Sequence, residues 1–153
     1  MRVVIQRVSE ASVTIDGKIH SSIGIGLMIL LGIETSDSSE DAQKLVSKIV
    51  KIRIFSDENG LMNLSNSDVN GDYLVVSQFT LHAETKKGNR PSYIKAARPE
   101  QAIPLYENFI ELLKKETGKE IATGEFGADM KVALVNDGPV TIIMDTREMI
   151  GDR

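Results

Sequence analysis

Tyr73-Leu74-Val75-Val76-Ser77-Gln78-Phe79-Thr80-Leu81 is an apolar run that passes into an amide and a hydroxyl. Its first four residues predict a buried strand. Continued to Leu81 with a period of two, the strand puts Val76, Gln78 and Thr80 on one face and Ser77, Phe79 and Leu81 on the other. An amide and a hydroxyl then stand side by side at the end of a rigid element, where a site is best held in place. A second stretch, Asn136-Asp137-Gly138-Pro139-Val140-Thr141, carries the other unusual chemistry.

Upstream, Arg2 to Ile25 reads as strands. Val3/Ile5 and Val13/Ile15 alternate with polar neighbours, and Asp16-Gly17 is a strong hairpin signal. Ser9-Glu10-Ala11-Ser12 suits a bulge or bend. Leu27 to Ile33 is apolar on both faces, which predicts a central strand with layers on either side. Asp37-Ser38-Ser39-Glu40 opens a helix with capping side chains and acids at its positive end. Its apolar stripe is Ala42, Leu45, Val46, Ile49 and Val50, and it ends near Lys51. Arg53-Ile54-Phe55 and Met62-Asn63-Leu64 are short strands about an Asp57–Gly60 turn, and the rest of Leu61 to Asn70 reads as loop.

Downstream, His82 to Arg98 has no clean period; a loop of that length is usually functional or disordered. A helix runs from about Pro99, suited to a first helical position, to Thr117, with Gly118 as the left-handed stop. Pro104 removes a backbone donor inside it, so the helix kinks there or begins later. Ile121 to Gly124 reads as a strand end and Glu125 to Met130 as a loop. Lys131 to Val135 and Val140 to Met144 read as two strands joined by Asn136–Pro139, and the tail from Asp145 to Arg153 as frayed. The order of elements predicts the α/β class: a layered mixed α/β domain with largely antiparallel sheets and two main helices.

A chain of 153 residues fits one domain, 1–153. No apolar run reaches the ~18 residues of a membrane span, and Gln6 and Arg7 interrupt the apolar centre a signal peptide needs. There are no cysteines, which removes disulfides, a thiol nucleophile and thiolate metal sites. These features predict a soluble cytoplasmic protein. The net charge of −4 argues against a general nucleic-acid binder. Yet Lys86, Lys87, Arg90, Lys95 and Arg98 fall together with no acid among them, directly after the Gln78/Thr80 stretch; a solvated loop and a local phosphate contact are both open.

No Gly-x-Ser-x-Gly elbow, phosphate loop or His-Glu-x-x-His motif is present, and nothing points to a metal or an organic cofactor. His20 lies beside a hairpin and reads as a surface residue. His82 is close to the candidate site, and its titration range is the reason to consider it. What remains is Thr80 with backbone amides, those of Gln78 and Phe79 first. An ester hydrolase needs an attacking oxygen and donors for the oxyanion. The plainer alternative is an ordinary strand with a half-buried amide, and a threonine without a base is a poor nucleophile. Asp137-Gly138 likewise reads as a plain hairpin turn, with Pro139 opening an edge strand. A residue before proline is pushed toward extended conformations, which suits Gly138 badly in such a turn; a cis Gly138–Pro139 bond resolves the conflict.

Ser77-Gln78-Phe79-Thr80-Leu81 and Asn136-Asp137-Gly138-Pro139-Val140-Thr141 resemble the two signature motifs of the D-aminoacyl-tRNA deacylases. The likeness extends through Ile5-Gln6-Arg7-Val8, Ala11-Ser12-Val13, Arg53-Ile54-Phe55-Ser56-Asp57, Lys87-Gly88-Asn89-Arg90-Pro91-Ser92 and Ala128-Asp129-Met130, in order over nearly the whole chain. The resemblance implies that family's fold and a homodimer with active sites at the interface. It implies a cis Gly138-Pro139 that enters the partner's pocket, where its carbonyls exclude L side chains. Glycine passes such a filter. Chiral selection falls to Gly138, Pro139, Met130 and Phe126, and the aminoacyl ester and terminal adenosine to the pocket of Ser77, Gln78, Phe79 and Thr80. Thr80 is one attacking group the family suggests; the RNA's 2′-hydroxyl with a water is the other. Lys86, Lys87 and Arg90 would face the tRNA. Two rivals stand beside this reading: a small-molecule esterase with a Thr80 nucleophile, and a non-catalytic dimer that binds an RNA end. His82 stands where the family leads one to expect a small or aromatic residue.

Overall fold

The computed structural model describes residues 1–149. One long strand organises it. β1 (Arg2–Ile15) pairs antiparallel with β8 (Lys131–Asp145) along nearly its whole length. On its other edge, the first half of β1 pairs with β3 (Gly26–Gly32) and the second with β2 (Lys18–Ile23). Asp16 and Gly17 link β1 to β2 with both φ positive, at 51° and 77°, as a type I′ turn requires. β6 (Asp72–Ser77) lies parallel to β3, and the short β7 (Ala122–Thr123) lies parallel to β6. The remaining ladders are antiparallel. β4 (Arg53–Ser56) and β5 (Met62–Ser65) form a separate hairpin.

The sheet has an apolar cluster on each face, because alternate residues of its buried strands point opposite ways. Leu27, Ile29, Leu31, Tyr73 and Val75 face the helical layer; Met28, Leu74 and Val76 join the second cluster. β1 contributes Val3 and Ile5 to the first but Val8, Ala11 and Val13 to the second. The odd–even switch coincides with register shifts against β8 between Gln6 and Glu10, near the bend expected at Ser9–Ser12. α1 (Ser39–Ile49) lays Ala42, Leu45, Val46 and Ile49 on the first cluster. Ser38 caps it: the Ser38 amide donates to Asp41 Oδ2 at 2.9 Å. α2 (Pro99–Thr117) adds Tyr106, Phe109 and Leu113 and stops at Gly118, whose φ is 69°. It begins at Pro99 and runs through Pro104, so the later start does not occur.

Two expectations fail here. Lys131–Val135 and Val140–Met144 do not fold back on one another. Both pair with β1 in one direction, with Asn136 still opposite Val8, and Asp137–Val140 is a segment looped out of a single strand. Whether such a segment reverses the chain depends on where its flanks find partners, and β1 is long enough to hold both. The tail is also not frayed as far as Met149. Asp145 and Thr146 are buried, the Met1 ammonium donates to Asp37 Oδ1 at 2.6 Å and to Thr146 Oγ1 at 3.0 Å, and Thr146 N reaches Met1 O at 3.0 Å. The expected fraying beyond Met149 lies outside the described residues.

Candidate active site

β6 ends at Ser77. The Gln78 amide donates to Leu31 O at 2.8 Å, and Phe79–His82 then closes as one turn of 3-10 helix. Leu81 N reaches Gln78 O at 3.2 Å and Ala83 N reaches Thr80 O at 3.1 Å. The strand therefore does not run on to Leu81, and the two expected faces stop with it. The cause lies in the neighbouring strand. β3 ends at Gly32, and a Cβ there would fall 2.9 Å from Leu81 Cβ and 3.1 Å from Gln78 O. The turn sits on bare backbone.

Gln78 and Thr80 still meet, by turn geometry instead of a shared strand face. Gln78 Nε2 donates to Thr80 Oγ1 at 2.5 Å. A side-chain amide donor cannot take a proton from that hydroxyl, so the contact orients Thr80 without activating it. The Gln78 main-chain amide, expected to be free, is committed to Leu31. The Phe79 and Thr80 amides open the turn instead, and the first N–H groups of a helical turn have no acceptor within it. Those two donors are the ones left for a ligand oxygen.

The turn borders a cleft of about 310 Å³ whose walls include Ser77, Gln78, Phe79, Phe126, Gly127 and Met130. Phe126 packs edge-on against Tyr106, with ring centroids 6.1 Å apart. The Tyr106 hydroxyl donates to Val75 O at 2.9 Å, and burial pushes that phenol up to about 12. Met130 folds over Gly124, where a Cβ would lie 2.4 Å from its sulfur. Phe79 is half exposed and meets Tyr93 edge-on at 5.1 Å. A larger groove of about 790 Å³ along α1, beside Gln43, Lys48 and Met149, holds no residue of the turn.

Gly138 and Pro139 are not walls of the 310 Å³ cleft within one chain. They are exposed on the looped-out segment of β8, with the Gly138–Pro139 bond cis. Arg7 braces this segment: its Nε donates to Asp137 O at 2.8 Å and its Nη1 to Ile54 O at 2.7 Å. Asn136 Oδ1 accepts from Val140 N at 2.9 Å. Lys87 and Arg90 are exposed on the loop after the turn, and Lys86 borders a second cleft. That loop is ordered by pairing between Glu84 and Ser92 and between Glu34 and Ala96.

Of the groups behind the turn, the sequence singled out His82 alone. Arg2 Nη1 donates to Leu81 O at 2.7 Å, and its Nε to Asp145 Oδ2 at 3.0 Å. His82 is buried, with Nδ1 3.3 Å from Glu34 Oε2, and Arg147 pairs with the same carboxylate. These residues are distant in sequence. Only the strand register, which sets Arg2 opposite both Gly32 and Asp145, brings them together.

The family model described as D-Tyr-tRNA(Tyr) deacylase matches residues 4–145. The chain belongs to that family. A D-aminoacyl-tRNA deacylase of Bacteroides fragilis is 67% identical over 147 residues, covering 96% of this chain and 98% of the relative. One of Flavobacterium johnsoniae is 65% identical over the same length and coverage. A solved structure of a c-Myc DNA unwinding element binding protein superposes with TM-score 0.90 at 43% identity, covering 95% of this chain and 98% of that one. A probable eukaryotic D-amino acid tRNA deacylase shares the fold, with TM-score 0.79 at 16% identity over 94% of this chain and 97% of its own. The family fold is thus the layered mixed α/β arrangement described above, with two helices and a mostly antiparallel sheet.

Proposed function

We propose that this chain hydrolyses the ester of D-aminoacyl-tRNA to a free D-amino acid and tRNA, rejects the L form, and works where translation takes place, in the cytoplasm. The deacylase family gives the reaction class. The observation that carries the site is the Phe79–His82 turn at the end of β6, with two main-chain donors beside a cleft of about 310 Å³.

In the reaction, an oxygen attacks the ester carbonyl, and the Phe79 and Thr80 amides receive the developing oxyanion. The bond to the ribose oxygen then breaks, and that oxygen leaves with a proton. Thr80 has an amide donor and no base, which favours a water aided by the RNA's own 2′-hydroxyl over a threonine nucleophile. Phe126 and Met130 wall the aminoacyl side.

The filter for handedness comes from a second copy. Gly138 and Pro139 are exposed, braced by Arg7 and absent from their own chain's cleft; Val135 and Ile143 on the same strand are exposed apolar residues. Inserted into the partner's cleft, the Gly138 and Pro139 carbonyls would crowd an L side chain and admit a D one or none, so glycyl-tRNA is also a substrate. Lys87 and Arg90 face the tRNA.

Matched D- and L-tyrosyl-tRNA, incubated with the protein and a chelator, test this. The D ester is released at least 100-fold faster, a discrimination of about 2.7 kcal/mol. Equal release of both enantiomers overturns the reading.

A further inference from the structure

We propose that a second cleft, bordered by His82 at the end of the Phe79–His82 turn, is a phosphate subsite that holds one backbone phosphate of the tRNA end. The inference rests on the tRNA reading above and adds the residues that grip the RNA.

The cleft measures about 270 Å³, and Arg2, Lys86, Lys95, Arg147, Glu84 and His82 border it. Its four cations come from four separate places in the chain: the first strand, the loop after the turn, the end of that loop, and the turn that follows β8. Their counter-charges are placed behind or to one side. Asp145 and Glu34 are buried beneath the two guanidiniums. Asp145 is burdened by burial, yet the Arg147 amide and the Arg2 side chain hold its pKa below the usual value. It is therefore a fixed anion that orients both arginines. Glu84 stands at the rim, 3.0 Å from Lys95, and Lys95 and Lys86 together keep it ionised.

A guanidinium has five N–H donors. Arg2 directs Nε and Nη2 to Asp145 and one Nη1 hydrogen to Leu81 O. The remaining donors of two pre-oriented, planar forks match the oxygens of a phosphate. Arg2 and Arg147 are also part exposed, at 34% and 44% of the side chain, so an anion can reach them. Lys86 adds charge beside Glu84 and, among the described residues, pairs with no carboxylate itself.

Position gives the ligand. Phe79 borders the first cleft and His82 the second, three residues apart on one turn. Arg2 grips the carbonyl of Leu81, next to Thr80. An ester held beside Phe79 and a phosphate held beside His82 would then be gripped by the two ends of one turn.

The test measures binding of uncharged tRNA against salt for the wild type, Lys86→Ala, Arg147→Gln and, as a control on α1, Lys48→Ala. Losing one single-strand phosphate contact lowers the slope of log K against log salt by about 0.7 and weakens binding about two- to tenfold at low salt. Lys86→Ala and Arg147→Gln show both changes, and Lys48→Ala shows neither. The kcat/KM loss of Lys86→Ala on D-aminoacyl-tRNA shrinks on a D-aminoacyl-adenosine substrate, which lacks that phosphate. Unchanged slopes in both cleft variants overturn the proposal, as does an equal loss on the adenosine ester by Lys86→Ala. If inorganic phosphate binds the cleft while the variants bind tRNA normally, the site serves free phosphate and the proposal is wrong. A wild type that binds tRNA with these slopes but hydrolyses nothing rejects the deacylase reading and leaves the subsite standing.

Discussion

Thr80 and Gly32 act at the same turn in different ways. Thr80 Oγ1 accepts from Gln78 Nε2 and faces no base, so Thr80→Ala removes an oriented hydroxyl and no nucleophile. The variant keeps deacylation of D-tyrosyl-tRNA within about tenfold of wild type, ~1.4 kcal/mol, and mass spectrometry of the wild type under turnover shows no acyl adduct at Thr80. A variant without measurable turnover would restore the threonine nucleophile. Gly32 matters for the space it leaves. In Gly32→Ala the new methyl meets Leu81 Cβ, Gln78 O and His82 Cδ2 between 2.9 and 3.1 Å, and two of the three belong to the turn itself. Overpacking of this kind costs about 1–3 kcal/mol. Because the strain falls on the turn that carries the proposed oxyanion donors, kcat drops at least tenfold while thermal unfolding shifts by about 2–12 °C. Steady-state kinetics beside a melting curve separate the two effects; a loss of stability with unchanged kcat contradicts the assignment of the turn.

At the scale of elements, the end of β8 is pinned to the start of β1 through Asp145 and Arg2, with Arg147 behind. Burial works against the Asp145 carboxylate, but the Arg147 amide and the Arg2 side chain outweigh it and hold its pKa below the usual carboxylate value. A depressed carboxylate contributes stability that is complete above the unfolded pKa and is lost as pH falls through the folded one. Asp145→Asn therefore lowers unfolding stability at pH 7, by about 1.5–3 kcal/mol, and the gap from wild type narrows below pH 3.8. Urea titrations at pH 7 and pH 3 read this directly; a gap that is constant with pH refutes the pairing. The sequence disclosed the elements whose signals are local. Asp16-Gly17, Ser38 with Asp41, and Pro99 with Gly118 each mark a boundary by their own backbone chemistry. It did not disclose that Asp137–Val140 loops out of a single strand, because that depends on β1 being long enough to pair with both flanks. Nor did it disclose the turn at Phe79, because β6 stops where its neighbour reaches Gly32. Of the site residues, Ser77, Gln78, Phe79, Phe126 and Met130 do share one cleft. Arg2, Glu34 and Arg147 had no local signal, and His82 was in view without its partner.

For the whole molecule, one chain keeps the cleft at the end of β6 and the Gly138–Pro139 segment apart. The cleft beside Phe79 includes neither Thr80 nor Gly138 and Pro139 among its walls, and the last two stand exposed on a braced segment elsewhere. The account holds that two copies complete each other's sites. Chirality is then judged by main-chain atoms, and the chemistry needs no side-chain acid or base. Sedimentation of the protein over a dilution series, paired with D-tyrosyl-tRNA deacylation at each concentration, tests this most directly. The account predicts a particle of twice the chain's mass, with activity per chain falling in step with dissociation of the pair. A monomer that keeps full activity and still spares the L ester would contradict it.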